Sequence, residues 1–334
     1  VAKLFHDALV PFAERRIINM KIKKVIAVVT ALSMMLVSSL TALASEEETV
    51  ITAERMAEAQ AELDALVPDE VMARMKLKSE GGSARSYTIS EYDVLSELSE
   101  KTEGELKTAG YDDSEIRDIK NYQEVYDEQI RTLSLLEEDV LKSFNYTDEQ
   151  IDTIKNYQGT EAEMARASAN CVVSVDVDRC SYNSSTDRTS SRVTTSFVWN
   201  GVPAVKLTDA LMTGWNEWYL AGKTANIKYT HINNGTTKWQ TPSFVTASNG
   251  GTSLGCGYSF DATIDNNYYY ASEGYEIFTV DVSGKKDMFG YGLYAHRSVS
   301  ATPTVSFSLS GTSVSISVNK TTTEYTGFDQ MRVQ

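Results

Sequence analysis

Few residues in this 334-residue chain are spaced to do chemistry, and each group can be weighed in turn. Cys256 lies in Leu254-Gly255-Cys256-Gly257-Tyr258, where small neighbours could expose a thiol nucleophile, and His296 is the base it would need. The plainer alternative, a buried or bridged cysteine, is preferred. Glu217, Asp261, Asp265, Glu273 and Glu276 could supply the two carboxyls of a glycosidase, but any exported domain carries such residues. Asp176 and Asp178 form a lone D-x-D, which reads as a solvated turn before it reads as a calcium site. His231 and His296 stand 65 positions apart, and no Cys/His spacing matches zinc. No metal, no cofactor and no catalytic residue are therefore expected. Aromatic rings remain: Trp215, Trp218, Trp239, Tyr268, Tyr269 and Tyr270 are the candidate binding residues, with Trp199 and Tyr258 nearby. Such rings stack on sugars or enter membrane interfaces when exposed, and pair across strands when buried. If Tyr268-Tyr269-Tyr270 is a strand, alternation turns at least one ring outward.

The elements that must position these groups fall into two kinds. Residues 106–123 and 141–158 match at ten of 18 aligned positions, an offset of 35 residues. Asp112 with Glu115, and Thr147 with Gln150, are capping boxes. Gly110 and Asn145 can end the preceding helix in the left-handed conformation. Tyr111 with Ile116, and Tyr146 with Ile151, stand at the staple positions. The spacing predicts two helical hairpins, 89–123 and 124–158, each a longer helix, a tight corner and a short helix. Thr52–Val67 reads as an Ala/Glu-rich helix, Pro68 starts another, and about 77–88 reads as a flexible linker. Two copies are too few for a solenoid, so the hairpins read as an acidic scaffold or spacer.

From Asn170 onward Ser, Thr, Val, Tyr and Gly dominate. Cys171, Val173, Val175 and Val177 alternate with polar residues, as do Val193, Thr195, Phe197 and Trp199. Val305–Leu309 and Val314–Val318 flank the turn Ser310-Gly311-Thr312-Ser313, a β-hairpin. Leu207–Leu220 reads as a short helix or a loop. The fold class is α+β in two segments: acidic helical hairpins at 45–168 and an antiparallel β-sandwich at 169–334.

The start of the chain reads as an address. Residues 1–19 look like an upstream extension ahead of Met20. Residues 20–44 carry a basic head, an apolar core and Ala42-Leu43-Ala44, the pattern of a cleaved secretory signal peptide. The expected product is secreted, extracellular or at the cell surface, without a transmembrane helix. Residues 45–168 hold 31 acidic and 13 basic side chains, against 13 and 12 in 169–334. That acidic charge repels nucleic acid and anionic lipid. Envelope components, glycans or proteins remain as partners. Three cysteines (171, 180 and 256) allow at most one internal disulfide, with Cys171–Cys180 the shortest closure.

The order of these parts resembles a loose group of secreted Gram-positive proteins that includes large geobacillin-type bacteriocins. The resemblance rests on Tyr146-Thr147-Asp148-Glu149-Gln150-Ile151 with Ile154-Lys155-Asn156-Tyr157, and on Tyr291-Gly292-Leu293-Tyr294-Ala295-His296. Phe197-Val198-Trp199 and Leu207-Thr208-Asp209 also belong to it. It spans most of 45–334, and each motif is short and structural. It implies an antibacterial activity and transfers no functional residue. The expectation is a non-catalytic exoprotein, bacteriocin-like or acting on a bacterial envelope. The alternative is an extracellular glycan-binding module, and a hydrolase ranks third.

Overall fold

The computed structural model describes residues 51–108, 111–205, 208–242, 244–249, 252–297, 305–310, 313–318 and 325–331. The upstream stretch, the signal segment and Gly110 lie outside these residues. Helix α1 (Ala53–Asp64) starts on Thr52, whose hydroxyl accepts from Arg55 N at 3.2 Å. Helix α2 (Pro68–Glu80) starts on proline, which has no N–H to leave unpaired there. The stretch expected to be a flexible linker is ordered. Gly81 N donates to Leu77 O and Ser83 N to Lys78 O, with Gly82 at φ +71°. Strand β1 (Arg85–Ser90) follows and pairs antiparallel with β2 (Asn170–Asn183), setting Ile89 opposite Cys171. Six residues are too few for period-two alternation to stand out beside a Gly-Gly-Ser turn.

Seven helices follow: α3 (Glu91–Glu100), α4 (Glu103–Thr108), α5 (Asp113–Lys120), α6 (Tyr122–Ser134), α7 (Glu138–Ser143), α8 (Asp148–Lys155) and α9 (Glu161–Ala167). Helices α7 and α8 stand 35 residues after α4 and α5. Asp112 and Thr147 each accept from the N3 backbone, while Glu115 and Gln150 accept from the cap backbone in return. Asn145 takes φ +60°, and Tyr111, Ile116, Tyr146 and Ile151 are buried. The expected longer helices are each broken, at Lys101-Thr102 and at Leu135–Glu137. A break leaves carbonyls without helical partners. Lys120 Nζ donates to Ser99 O at 2.6 Å and to Lys101 O, and Lys155 Nζ to Ser134 O at 3.0 Å and to Leu136 O. The shared Ile-Lys-Asn-Tyr run thus carries the lysine that satisfies each break.

The remaining strands are β3 (Arg188–Asn200), β4 (Thr208–His231), β5 (Thr237–Gln240), β6 (Phe244–Asn249), β7 (Thr252–Asp261), β8 (Thr263–Ile264), β9 (Tyr269–Ser283), β10 (Met288–Arg297), β11 (Val305–Ser310), β12 (Ser313–Val318) and β13 (Tyr325–Met331). All their pairings are antiparallel. The 24-residue β4 belongs to two sheets. Up to Trp218 it pairs with β7 and β10; beyond, it pairs with β9 and then β5. Register shifts between Gly214 and Trp218 and between Leu220 and Gly222 mark the transfer. The stretch expected to be helix or loop is therefore strand. Ala210, Leu211, Met212 and Thr213 are all buried, so both faces are covered and no alternation survives in the sequence.

The two sheets meet through residues of opposite size. A Cβ on Gly292 would stand 2.2 Å from Val175 Cγ2, and one on Gly290 2.8 Å from Val177 Cγ2, so glycine lets β10 approach β2 and β3. Trp199 Nε1 donates to Tyr294 Oη at 3.0 Å, and the Phe197 and Tyr294 rings lie 4.9 Å apart. The outer face of the first sheet carries α1 and α2. Leu63, Val71 and Met72 bury Tyr275 and Ile277 there. Ion pairs Arg55–Asp281 (2.8 Å), Lys78–Asp176 (2.5 Å) and Arg74–Asp178 (3.7 Å) flank them. Ile51–Gln334 form one compact unit, and one buried cluster runs from Leu106 and Ile154 in the helices to Phe197 and Ile227 in the strands. The composition change at residue 169 marks a change of secondary structure within a shared core.

Candidate functional site

The aromatic candidates separate cleanly. Trp215 and Trp218 are core residues, 0% and 1% exposed, packed with Phe278, Val193 and Cys256 between the sheets. Tyr270 is buried edge-on against Phe144. These three are closed to any ligand, the two tryptophans by the packing of the sheets and Tyr270 by the helical half that covers it. Tyr268 is the outward ring, 52% exposed. It lies parallel to His231, with centroids 5.9 Å apart and planes at 12°. Tyr269 is half-buried beneath Lys238, whose Nζ stands 4.1 Å from the ring centroid. Trp239, also half-buried, lies elsewhere, on the outer face of the first sheet.

Trp239 ends a row that the strand register assembles from five strands. Val172 pairs with Val198, Val198 with Glu273, Glu273 with Lys228, and Lys228 with Trp239. Directly opposed residues share a face, so these five side chains line up across the sheet. The next row begins with Ser174 and Ser196. A groove of about 620 Å³ is lined by Val172, Val198, Glu273 and Lys228 of this row and by Ser174 and Ser196 of the next, with Trp239 just beyond its lining. Helix α2 contributes Asp69, Met72 and Lys76 to its wall, and the corner before α8 contributes Asn145 and Tyr146. Lys228 Nζ bridges Asp69 (2.9 Å) and Glu273 (3.0 Å) and stands 5.3 Å over the Trp239 ring. Burial pulls the Lys228 ammonium down, but its hydrogen bond to Asp69 and the Glu273 carboxylate outweigh that and hold its pKa above the ordinary lysine value. The groove has the size and mixed lining of a small-molecule site. Lys228 was missed in the sequence: it stands as one polar alternation among several until the register joins it to Glu273 and Trp239.

The catalytic candidates do not converge. Cys256 is buried opposite Thr213, and the backbone of His296 is opposite Asp209, on the other side of β4. Four residues along a strand and two strand spacings across put their backbones about 16 Å apart. No disulfide joins Cys171, Cys180 or Cys256, and all three are buried. The two within β2 are nine residues apart on one extended strand, beyond bridging reach. Burial pushes the Cys171 thiol well up, with the nearby Asp209 adding to it, the opposite of an activated nucleophile. Glu273 and Glu276 face opposite sides of β9, because Glu273 opposes Val198 and Glu276 opposes Thr195. Glu276 is buried between the sheets, where Thr213 Oγ1 donates to Oε1 at 2.5 Å and Oε2 has no partner. Burial raises its pKa well above 4.5, against the opposing pull of that bond. Asp261 and Asp265 are exposed, and Asp265 pairs with Lys238. The Glu217 and His296 side chains lie outside the described atoms. Asp176 and Asp178 take Lys78, Arg74 and Arg192 as partners, so their charges are met by protein cations. Among the described residues no cluster of three His, Cys, Asp or Glu could hold a metal, and no helix is long and apolar enough to cross a membrane.

No protein-family model and no curated protein matches the chain. Among solved structures it is similar to a pore-forming protein at 7% identity, over 49% of this chain and 87% of that one, with a TM-score of 0.26. It is also similar to the KRT10-binding region domain of the pneumococcal serine-rich repeat protein PsrP, at 12% identity over 38% and 78% of the two chains, TM-score 0.21. A third is the C-terminal domain of the Streptococcus pyogenes antigen I/II-family protein AspA, at 10% identity over 48% and 53%, TM-score 0.26. At such TM-scores these likenesses carry no argument about this chain.

Proposed function

We propose that the chain is an exported, non-catalytic protein that acts by binding at a bacterial envelope, and that the groove beneath α2 takes a polyhydroxylated ligand of the glycan class. The groove floor supports this reading. Ser174, Ser196, Asn200 and the Lys228–Glu273 pair offer donors and acceptors to hydroxyl edges, while Met72, Val172 and Val198 offer apolar contact to C–H faces. A half-buried tryptophan closes the same row. On this reading residues 20–44 are a signal peptide removed before Ser45, and the strand half is a β-sandwich. Segments 89–123 and 124–158 are repeated structural units that support it. The bacteriocin-like outcome rests on the resemblance alone and follows from binding rather than from a reaction.

The test is binding of purified residues 45–334 to cell-wall glycan isolated from Gram-positive bacteria. Trp199, Trp215 and Trp218 are fully buried, so a change in intrinsic fluorescence on binding reports Trp239. Lys228→Ala and Glu273→Ala each weaken binding by about tenfold, equivalent to one good polar contact. Absence of binding to every wall fraction, or binding that both variants leave intact, refutes the assignment.

A further inference from the structure

A second groove, of about 300 Å³, opens between α6 and the loop after β3. Val125, Gln129 and Leu133 form its helical wall, spaced four apart on one face, and Leu136 continues it from the break after α6. Val202 and Ile232 stand opposite. The lining is mainly apolar, but two observations set it apart from a packing fault. Gln129 Nε2 donates to Val202 O at 2.7 Å, while Gln129 Oε1 is buried with no hydrogen-bond partner. An acceptor left open inside a protein is costly, and Gln129 belongs to the groove wall.

The second observation is charge. Glu128 lines the groove, Glu124 is exposed on the same helix, and Glu137 is exposed in the break that follows it. None of the three has an ion-pair partner among the described residues. Arg131, within the same segment, is already committed to Asp127 at 2.8 Å. Leu135, 82% exposed, extends the apolar surface beside Leu136.

We propose that this groove docks a short, basic, amphipathic peptide segment of a partner protein. One or two of its apolar side chains fill the space bounded by Leu133, Leu136 and Ile232. One of its N–H groups donates to Gln129 Oε1, and its lysines or arginines face Glu124, Glu128 and Glu137. The acidic rim repels nucleic acid and anionic bilayers. A second copy of this chain, with a formal charge of −15, brings like charge to the same rim.

The probe is a labelled lysine–leucine amphipathic peptide of about a dozen residues, long enough for three helical turns, titrated into the purified chain by fluorescence anisotropy. An all-lysine peptide of equal length is the control. The amphipathic peptide binds at least about tenfold tighter than the control. Leu136→Asp and Glu128→Lys each weaken it by about tenfold, and the exposed Glu128 site leaves the fold untouched. Raising salt from about 0.05 to 0.3 M weakens it several-fold through screening. Lys228→Ala, in the other groove, leaves it unchanged. No binding, equal binding of both peptides, or binding that neither variant weakens overturns the proposal. So does binding of anionic vesicles in its place, or a dimer of the chain that Leu136→Asp dissolves.

Discussion

Replacing Glu276 by glutamine isolates the buried carboxyl at the centre of the two sheets. Glu276 is 0% exposed, accepts one hydrogen bond from Thr213 at 2.5 Å, and leaves Oε2 without a partner. An ionised carboxylate there would lose its hydration with one donor in return, so the folded protein keeps the proton. The folded pKa lies well above the ordinary 4.5, and burial is the cause. The sign follows from linkage. Below the ordinary value both states hold the proton and no stability is lost. Above it the unfolded chain releases the proton while the folded chain retains it. Stability therefore falls by about 1.4 kcal/mol per pH unit until the folded pKa is reached. Glutamine cannot ionise, so Glu276→Gln removes that slope. It also places a second N–H where Oε2 lies unpartnered, which costs about 1–3 kcal/mol at every pH. The variant should thus be the less stable protein near pH 5. It should gain on the wild type as pH rises above the ordinary carboxylate range, by up to about 1.4 kcal/mol per unit. Urea unfolding of both proteins at pH 5, 6 and 7 reads this directly. A stability difference that stays constant across the series would show that Glu276 is ionised in the folded state, and the reasoning would fail.

Two further outcomes test the packing. Gly292→Ala places a methyl 2.2 Å from Val175 Cγ2 and 2.8 Å from Thr195 Cγ2, and should cost about 1–3 kcal/mol by overpacking. Adding Val175→Ala should recover part of that loss in thermal unfolding, and a silent Gly292→Ala would mean the sheets do not approach this closely. Because Cys171, Cys180 and Cys256 are all buried thiols, Ellman's reagent should label none of them in the folded protein and all of them after urea. Rapid labelling of the native chain, or a disulfide between Cys171 and Cys180, would contradict the strand placement.

What could be read from the sequence was what local chemistry determines. Asp112 and Thr147 announce their helices because a cap and its N3 partner lie three residues apart. The pairing of Val305–Ser310 with Ser313–Val318 was legible for the same reason. Features fixed by distant cover were not. Leu211 and Met212 look alike in a helix and in a strand buried on both faces. The aromatic candidates show the same limit: Trp215 and Trp239 differ in exposure only because one faces the other sheet and the other faces α1 and α2. The groove row is hidden for a further reason. Val172, Val198, Lys228, Trp239 and Glu273 span about a hundred positions and meet only through the pairing of five strands.

The helices matter to both grooves through a single loop. Residues 201–205 leave β3 with polar backbone groups that the strands do not meet, and the helical half meets them. Gly201 N donates to Phe144 O at 2.8 Å, Val202 N to Tyr146 Oη at 3.1 Å, and Val202 O accepts from Gln129. Ala204 N and Val205 N donate to the Glu91 carboxylate at 2.8 and 2.9 Å, and the Tyr126 hydroxyl donates to it at 2.7 Å. Glycine is required at 201, where φ is +102° and a Cβ would stand 2.5 Å from the Tyr146 ring. Tyr146 borders the groove over the sheet, and Gln129 and Val202 border the groove along α6. The loop therefore separates two concave surfaces, and the helices fix both of its sides. A detached acidic spacer would leave those backbone groups unanswered and both grooves unwalled. The acidic segment is better understood as the half of the molecule that gives the strand half its concave relief.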